Sequence, residues 1–406
     1  MDELFEDDLR DLCRLELITK EEAALLGEVD IAADELGLQE YEHYLKHEFD
    51  INAVGIARKH GLFAINAGER YGGKGARPIV HALAQQRLGH SGLGFPTMYD
   101  VQSFISQPTV ARWGSEEQRE KYLAKMASGD YIFSFGLTEP EAGSDPSSMK
   151  TVYDKEGGRY VINGEKYLIT NGSICSYMIL FAKSATDKRE ISAFIIDTKS
   201  RGFEVEMQLH EKIGLFTSDT AMIRLSGVIA EEADVLGRTG DGLHVAYSAL
   251  SNGRIGIGSA CVGLIEGALK ASLERSRERI QHGKEIGKHQ LIQQHIAAIR
   301  QNLEMARWPV YRAALSMEKY SKDYNNKRLR EKADLDSALA KRISSRLAFD
   351  SADRAVQIHG GFGYSLLSPV GQLFCDSRVA RIYEGTDEIQ DLKIAASMLG
   401  SGFEAY

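Results

Sequence analysis

"GRYVINGEKYLITNG", residues 158–172, carries the clearest structural signal in the chain. Two runs rich in β-branched and aromatic residues meet at Asn163-Gly164, the strongest short-range sign of a hairpin. Downstream, "SYMILFAKS" (176–184), "ISAFIIDT" (191–198), "GFEVEMQ" (202–208) and "TAMIRLSGVIA" (220–230) repeat the pattern with polar turns between them. Such short connections leave no room for crossover helices, which predicts a mainly antiparallel β domain over residues 133–243.

On either side the apolar spacing changes from two to three and four residues. "LITKEEAALLGEVDIAADELGL" (17–38) and "GARPIVHALAQQRLG" (75–89) read as helices. "GSEEQREKYLAKM" (114–126) opens with Ser115 and Gln118 in capping-box positions. After Gly242 come three long amphipathic stretches, 244–280, 289–318 and 332–360, with "SKDYNNKRLREK" (321–332) expected as a charged loop. The predicted plan is an N-terminal helical domain, 1–132, the β domain, 133–243, and a C-terminal helical bundle, 244–406: mostly α with a central β domain.

The 406 residues are 43% hydrophobic and 26% charged, enough for a sizeable core and a large cofactor. A net charge of -9 with interspersed Lys and Arg argues against a nucleic-acid partner. The acidic start "MDELFEDDLR" is neither a signal nor a transit peptide. The apolar run "IGIGSACVGLI" (255–265) is about half of what a membrane span needs, so a buried helix is expected and no integral membrane segment. Cys13, Cys175, Cys261 and Cys375 lie far apart with no metal spacing, consistent with reduced thiols and a cytoplasmic location.

Several motifs are discounted. "GERYGGKG" (68–75) nearly matches a phosphate-binding loop but lacks the Ser or Thr after Lys74, and reads as a plain loop. "GIGSAC" (256–261) sits inside a helical pattern, not at a strand-to-helix turn. His43 and His47 are one helical turn apart without a correctly placed Glu, and read as a solvated face. "FSFGLTEPEAGSDPSS" (133–148) is more promising, since its turn offers hydroxyls and open backbone N–H groups suited to a phosphate or a flavin edge. "RVARIYEGTDEIQ" (378–390) sets an acid, Glu384, between an apolar stretch and the start of a helix.

Taken together, "LTEPEAGSD" (137–145), "ITNG" (169–172), "RIQHGKEIGKHQLIQ" (279–293), "QIHGGFGY" (357–364) and "IYEGTDEIQ" (382–390) resemble the acyl-CoA dehydrogenases in order and spacing. "FGLTEPEAGSDPSSM" looks most like the glutaryl-CoA dehydrogenase branch. The resemblance implies a noncovalent FAD between the β domain and the C-terminal helices, shared with an adjoining subunit of a homotetramer. Phe135, Leu137, Thr138, Gly143 and Ser144 would line the flavin ring and nearby substrate, with Leu168 in the covering position and Thr170 bonded to the ring. Arg279, His282, Gln290, Gln357, Gly360 and Gly361 would reach the adjoining subunit's FAD, and Thr386 and Glu388 would contact FAD beyond the catalytic turn. Glu384 would be the base that removes the proton α to a thioester. Ser144, Arg254, Tyr383 and Gly385 would contact substrate, with Tyr99, Gln102 and His90 as candidate pocket residues.

Some branches place the base just before the arginine of "SNGRIGIG", where this chain has Gly253. Three positions depart from the family pattern: Leu168 for a Trp, His282 for a Phe, and Ser251 for an acid. The segment "GHSGLGFPTMYDVQS" (89–103) lacks the Arg that the resemblance to the glutaryl-CoA dehydrogenase branch implies there, so a dicarboxylic substrate is not supported and an apolar, cyclic or aromatic acyl group is equally open. The expected activity is FAD-dependent dehydrogenation of an acyl-CoA to the 2-enoyl-CoA, with electrons passed to an electron-transfer flavoprotein. The alternatives are a related flavin oxidase or monooxygenase, and a non-catalytic flavoprotein that binds acyl-CoA.

Overall fold

The computed structural model describes residues 10–400 and 402; the acidic start, 1–9, and positions 401 and 403–406 lie outside the described residues. Helix α1 (Lys20–Lys46) begins at a capping box made by Thr19 and Glu22, and α2 (Ile51–Lys59) follows. His47 ends α1 in a left-handed conformation and stays exposed, as expected of a solvated face, while one side of its ring stacks on Phe216 with centroids 3.8 Å apart. Helix α3 (Pro78–Leu88) is buried on all sides, and α4 (Gly94–Tyr99) runs into a π-helical stretch, Asp100–Ser106. Helices α5 (Gln107–Trp113) and α6 (Glu116–Ala127) complete this layer, the latter with the Ser115–Gln118 capping box.

The β domain is one eight-stranded sheet: β1 (Phe133–Gly136), β2 (Val152–Glu156), β3 (Arg159–Thr170), β4 (Tyr177–Ser184), β5 (Ile191–Asp197), β6 (Phe203–Gln208), β7 (Thr220–Ala230) and β8 (Val235–Leu236). Its order is β6-β7-β3-β2-β4-β5-β8, with β1 beside β4. Most pairs are antiparallel, but β1 and β2 both run parallel to β4, with β3 acting as the return strand where a crossover helix would otherwise be needed.

Asn163-Gly164 is not a hairpin turn. It lies inside β3, at a register shift against β7, where Gly164 has φ +150° and a β carbon would fall 2.5 Å from the Thr151 side chain. The hairpin turn is instead Gly157-Gly158, both at positive φ, joining Glu156 to Arg159. Glycine serves a close strand approach at one site and a tight turn at the other.

Helix α7 (Gly242–Glu278) then enters the core, and 89% of its most apolar window is buried. That window is long and apolar enough to cross a membrane by length and composition, so the apolar stretch is longer than the short run quoted above. A two-stranded turn, β9 (Ile280–Gln281) and β10 (Lys284–Glu285), leads to α8 (Gln290–Ser321) and α9 (Lys327–His359). The charged connection is therefore shorter than expected, because Lys327 to Lys332 already belong to α9, capped by Asn326. The short α10 (Gly361–Tyr364), α11 (Val370–Val379) and α12 (Asp387–Leu399) end the described chain.

A buried acidic knot joins these layers. Glu40 of α1 accepts hydrogen bonds from Thr217 (2.6 Å) and from Gln372 of α11 (3.1 Å). Asp376 of α11 accepts from the backbone of Leu93 (3.1 Å) and Leu215 (2.6 Å). Burial, with Asp376 beside it, pushes the Glu40 carboxyl up to about 8. Because the folded value lies above the unfolded one, the unfolded chain gives up its proton first as pH rises, and stability falls between about pH 4.5 and 8. Glu40→Gln is expected to flatten that slope and to stabilise the fold at pH 8 by a few kcal/mol; urea unfolding at pH 5 and pH 8 measures it, and an unchanged slope contradicts it.

Candidate active site

Glu384 stands in the turn between α11 and α12 with φ +54°, a left-handed conformation that is uncommon for a residue with a side chain. Three buried groups hold the turn by its carbonyls. Arg254 Nε donates to the Glu384 carbonyl at 3.3 Å, and Lys341 Nζ to the Gly385 carbonyl at 2.6 Å. Gln390 Nε2 reaches both carbonyls, at 3.1 and 3.0 Å. Next to it Thr386 caps α12 by accepting from the Ile389 N–H, and Arg381 pairs with Asp387 at 2.7 Å. Over-determined strain of this kind is found where a side chain must be aimed.

What is aimed is a carboxylate. Glu384 Oε2 is sealed from solvent and has no hydrogen-bond partner, and the backbone N–H of Glu384 makes no backbone hydrogen bond among the described residues. Burial pushes the carboxyl up to about 7, against the opposing pull of Arg254 and Lys341. A β carbon at Gly253 would lie 2.6 Å from Oε2, so the missing side chain on α7 makes the space this carboxylate occupies. Arg254 is 2% exposed with its Nη1 free, and burial lowers its affinity for its proton. Ser251, where the resemblance leads one to expect an acid, donates to Asp334 of α9 at 2.7 Å, so a neighbouring helix supplies the negative charge. Tyr383 completes the wall with its hydroxyl 3.3 Å from Thr97 Oγ1.

Two of the proposed pocket residues are occupied elsewhere. The Tyr99 hydroxyl donates to the Leu62 carbonyl at 3.0 Å and meets His81, while Gln102 spends its amide on the backbone of Met126, Tyr131 and Phe133. Both are buried framework. His90 packs on α7 at Gly267, fourteen residues and so roughly 21 Å along the helix from Gly253.

A second group lies at the mouth of the sheet. Phe135 packs on Phe181 at 4.8 Å, and Leu137 is buried. The loop after β1 is clamped from within by Glu139 and Lys166, both buried and 2.7 Å apart. At the β3 bulge Leu168 has φ +57° and stands 47% exposed, with Thr138 bonded through its carbonyl to the Tyr167 N–H at 2.9 Å. The hydroxyls of Thr138, Ser144 and Thr170 make no hydrogen bond to another described residue, and a β carbon at Gly143 would meet nothing within 4 Å. An outward apolar plate ringed by unused hydroxyls and open backbone fits a flavin ring.

A third group lies at the far end of α7. Arg279 at the end of α7, and His282 and Gln290 in and after the β9–β10 turn, are exposed, and His282-Gly283 supplies the two positive φ angles of that turn. Arg275 lies over the Phe362 ring at 4.8 Å, which brings the exposed Gln357, Gly360 and Gly361 to the same end. Twenty-five residues of helix, roughly 37 Å, separate Arg279 from Arg254. One chain does not bring these residues to Glu384. Glu388 is exposed in the first turn of α12.

Asp100 and Lys341 belong to the Glu384 cluster and escaped the sequence reading, which met Gly256 only within the discounted "GIGSAC" run. Their partners lie far away in the chain, and Lys341 sits in a buried stripe of Ala and Ser that gives no sign of its role.

The chain matches the acyl-CoA dehydrogenase N-terminal domain over residues 19–130, the middle domain over 134–228 and the C-terminal domain over 240–399. It is 37% identical over 355 residues to an acyl-CoA dehydrogenase of Bacillus subtilis strain 168, covering 87% of this chain and 91% of that one. The caffeyl-CoA reductase–Etf complex subunit CarC of Acetobacterium woodii is 33% identical, with 87% and 90% covered. Among solved structures, a glutaryl-CoA dehydrogenase–glutaryl-CoA complex superposes with a TM-score of 0.88 at 28% identity, over 96% of this chain and 98% of that one. Three domains matched in order, on a fold with helices flanking a central sheet and a half-buried acid in the turn before the last helix, make this chain an FAD-dependent oxidoreductase belonging to the acyl-CoA dehydrogenase family.

Proposed function

We propose that the chain oxidises an acyl-CoA thioester to the 2-enoyl-CoA and hands the electrons to an electron-transfer flavoprotein. The observation that carries this reading is the buried, unpartnered Glu384 Oε2 in an anchored left-handed turn. Glu384 takes the α proton; its dry surroundings raise its proton affinity toward the range a base needs at neutral pH. The free backbone N–H of Glu384 donates to the thioester oxygen and stabilises the charge that develops there. Arg254 and Lys341 hold that N–H and the carboxylate in register. Bound FAD would supply the acceptor for the hydride leaving the β carbon.

Phe135, Leu137, Thr138, Gly143, Ser144, Leu168 and Thr170 would hold the ring, with Thr386 and Glu388 beyond it. Arg254, Tyr383, Gly385 and Ser144 would meet substrate. The far-end residues would serve an adjoining subunit, and the exposed Ile280, Leu291, Tyr364, Leu366 and Leu367 around them suit a buried contact in a homotetramer. The relative named as part of an Etf complex supports the electron acceptor.

The test is anaerobic addition of a panel of acyl-CoA thioesters to the purified yellow protein. At least one is expected to bleach the flavin, and an electron-transfer flavoprotein added afterwards is expected to restore the colour. Failure of every thioester to bleach it sinks the reading. Rapid oxygen uptake with substrate selects the oxidase alternative. The reductive step should also accelerate with pH through about 7, as Glu384 ionises; a rate flat from pH 6 to 8.5 would speak against this base.

A further inference from the structure

Asp100 opens the π-helical stretch, is 1% exposed, and has an Oδ1 with no hydrogen-bond partner. An unsatisfied buried oxygen costs roughly 1–3 kcal/mol, so its presence asks for a partner from outside the chain. Its location says which. A β carbon at Gly256 would fall 1.8 Å from this Oδ1, just as one at Gly253 would fall 2.6 Å from Glu384 Oε2. Those glycines are one turn apart on a single face of α7, about 4.5 Å along its axis. The two carboxyls therefore occupy neighbouring notches of one helix. Phe104 and Ile105, from the same π-helical stretch, form the apolar walls of these notches.

Burial, reinforced by Glu384, raises the proton affinity of Asp100 well above the ordinary carboxylate range. That direction favours the protonated form, and a protonated carboxyl both donates and accepts. Of the polar side chains beside it in the chain, Tyr99 and Gln102 are already spent on backbone, while the Ser103 hydroxyl is buried and unpartnered like the Asp100 Oδ1.

We propose that Asp100 is a specificity residue that selects an acyl group carrying a hydroxyl beyond the reacting carbons. The hydroxyl donates to the free Oδ1, filling the missing hydrogen bond. This rests on the dehydrogenation reading above and narrows its substrate class. A plain hydrocarbon tail would leave the carboxyl unsatisfied, and a carboxylate tail would bring a second negative charge beside Glu384.

The experiment compares CoA thioesters of equal length that are plain or hydroxylated at the γ, δ or ε carbon. It follows anaerobic bleaching for kcat/KM, and measures by calorimetry the affinity of unreactive CoA thioethers with the same chains. At least one hydroxylated chain is expected to exceed its plain counterpart by roughly a hundredfold or more in both measurements, since sites that bond a hydroxyl reject analogues lacking it. Asp100→Leu is expected to invert that preference. Equal handling of plain and hydroxylated chains by the unaltered protein, as an ordered water on Asp100 would give, overturns the proposal. So does a preference that persists in Asp100→Leu. If no thioester bleaches the flavin, the dehydrogenation reading fails, while the thioether affinities still decide the role of Asp100.

Discussion

Glu384→Gln is expected to keep the protein folded and yellow while slowing flavin reduction by roughly 10²- to 10⁴-fold, the range a positioned general base contributes. The substitution preserves size and the anchored backbone, because Arg254, Lys341 and Gln390 grip carbonyls rather than the side chain. An amide cannot take the proton. The measurement pairs the visible spectrum after gel filtration with single-turnover bleaching. Substrate affinity should change little, since the backbone N–H proposed to meet the thioester is untouched. A reduction rate within tenfold of the original would mean that another group removes the proton.

Gly253→Ala should be nearly as damaging without touching any reactive group. The added methyl would fall 2.6 Å from Glu384 Oε2 and 2.9 Å from Ile105, so the carboxylate must move by about an ångström. Misplacement of that size costs on the order of a hundredfold in rate. Alanine favours a helix over glycine by roughly 1 kcal/mol, so the fold itself should tolerate the change. The expected signature is a lowered kcat with thermal stability and FAD content preserved. Unchanged turnover would show that the carboxylate does not need the Gly253 notch.

Much of the candidate site could be proposed from the sequence because its residues are contiguous. The turn holding Glu384, the loop after β1 and the far-end motifs are each short strings whose spacing survives without knowledge of the fold. Residues whose meaning depends on distant partners were not. Lys341 acts through a carbonyl 44 positions away, and Asp100 through a glycine on α7. Gln102 and Tyr99 looked like pocket residues because the sequence cannot show that their polar atoms are already committed. The β domain was identified by its alternation, yet its turn was misplaced. Asn163-Gly164 carries the stronger hairpin preference, but the cross-strand approach at Thr151 required glycine there for another reason, and Gly157-Gly158 had the freer geometry for reversal.

The length of α7 carries a consequence for handling the protein. Some 37 Å of helix separate Arg254, beside Glu384, from the exposed Arg279 at its far end, and in the proposed homotetramer a solitary chain would offer each cofactor only part of its seat. On the proposed reading, colour retention becomes a mass-action property. Dilute stocks should bleach by losing their pigment on a filter, concentrated ones should not, and supplementing wash buffers with free FAD should rescue the former.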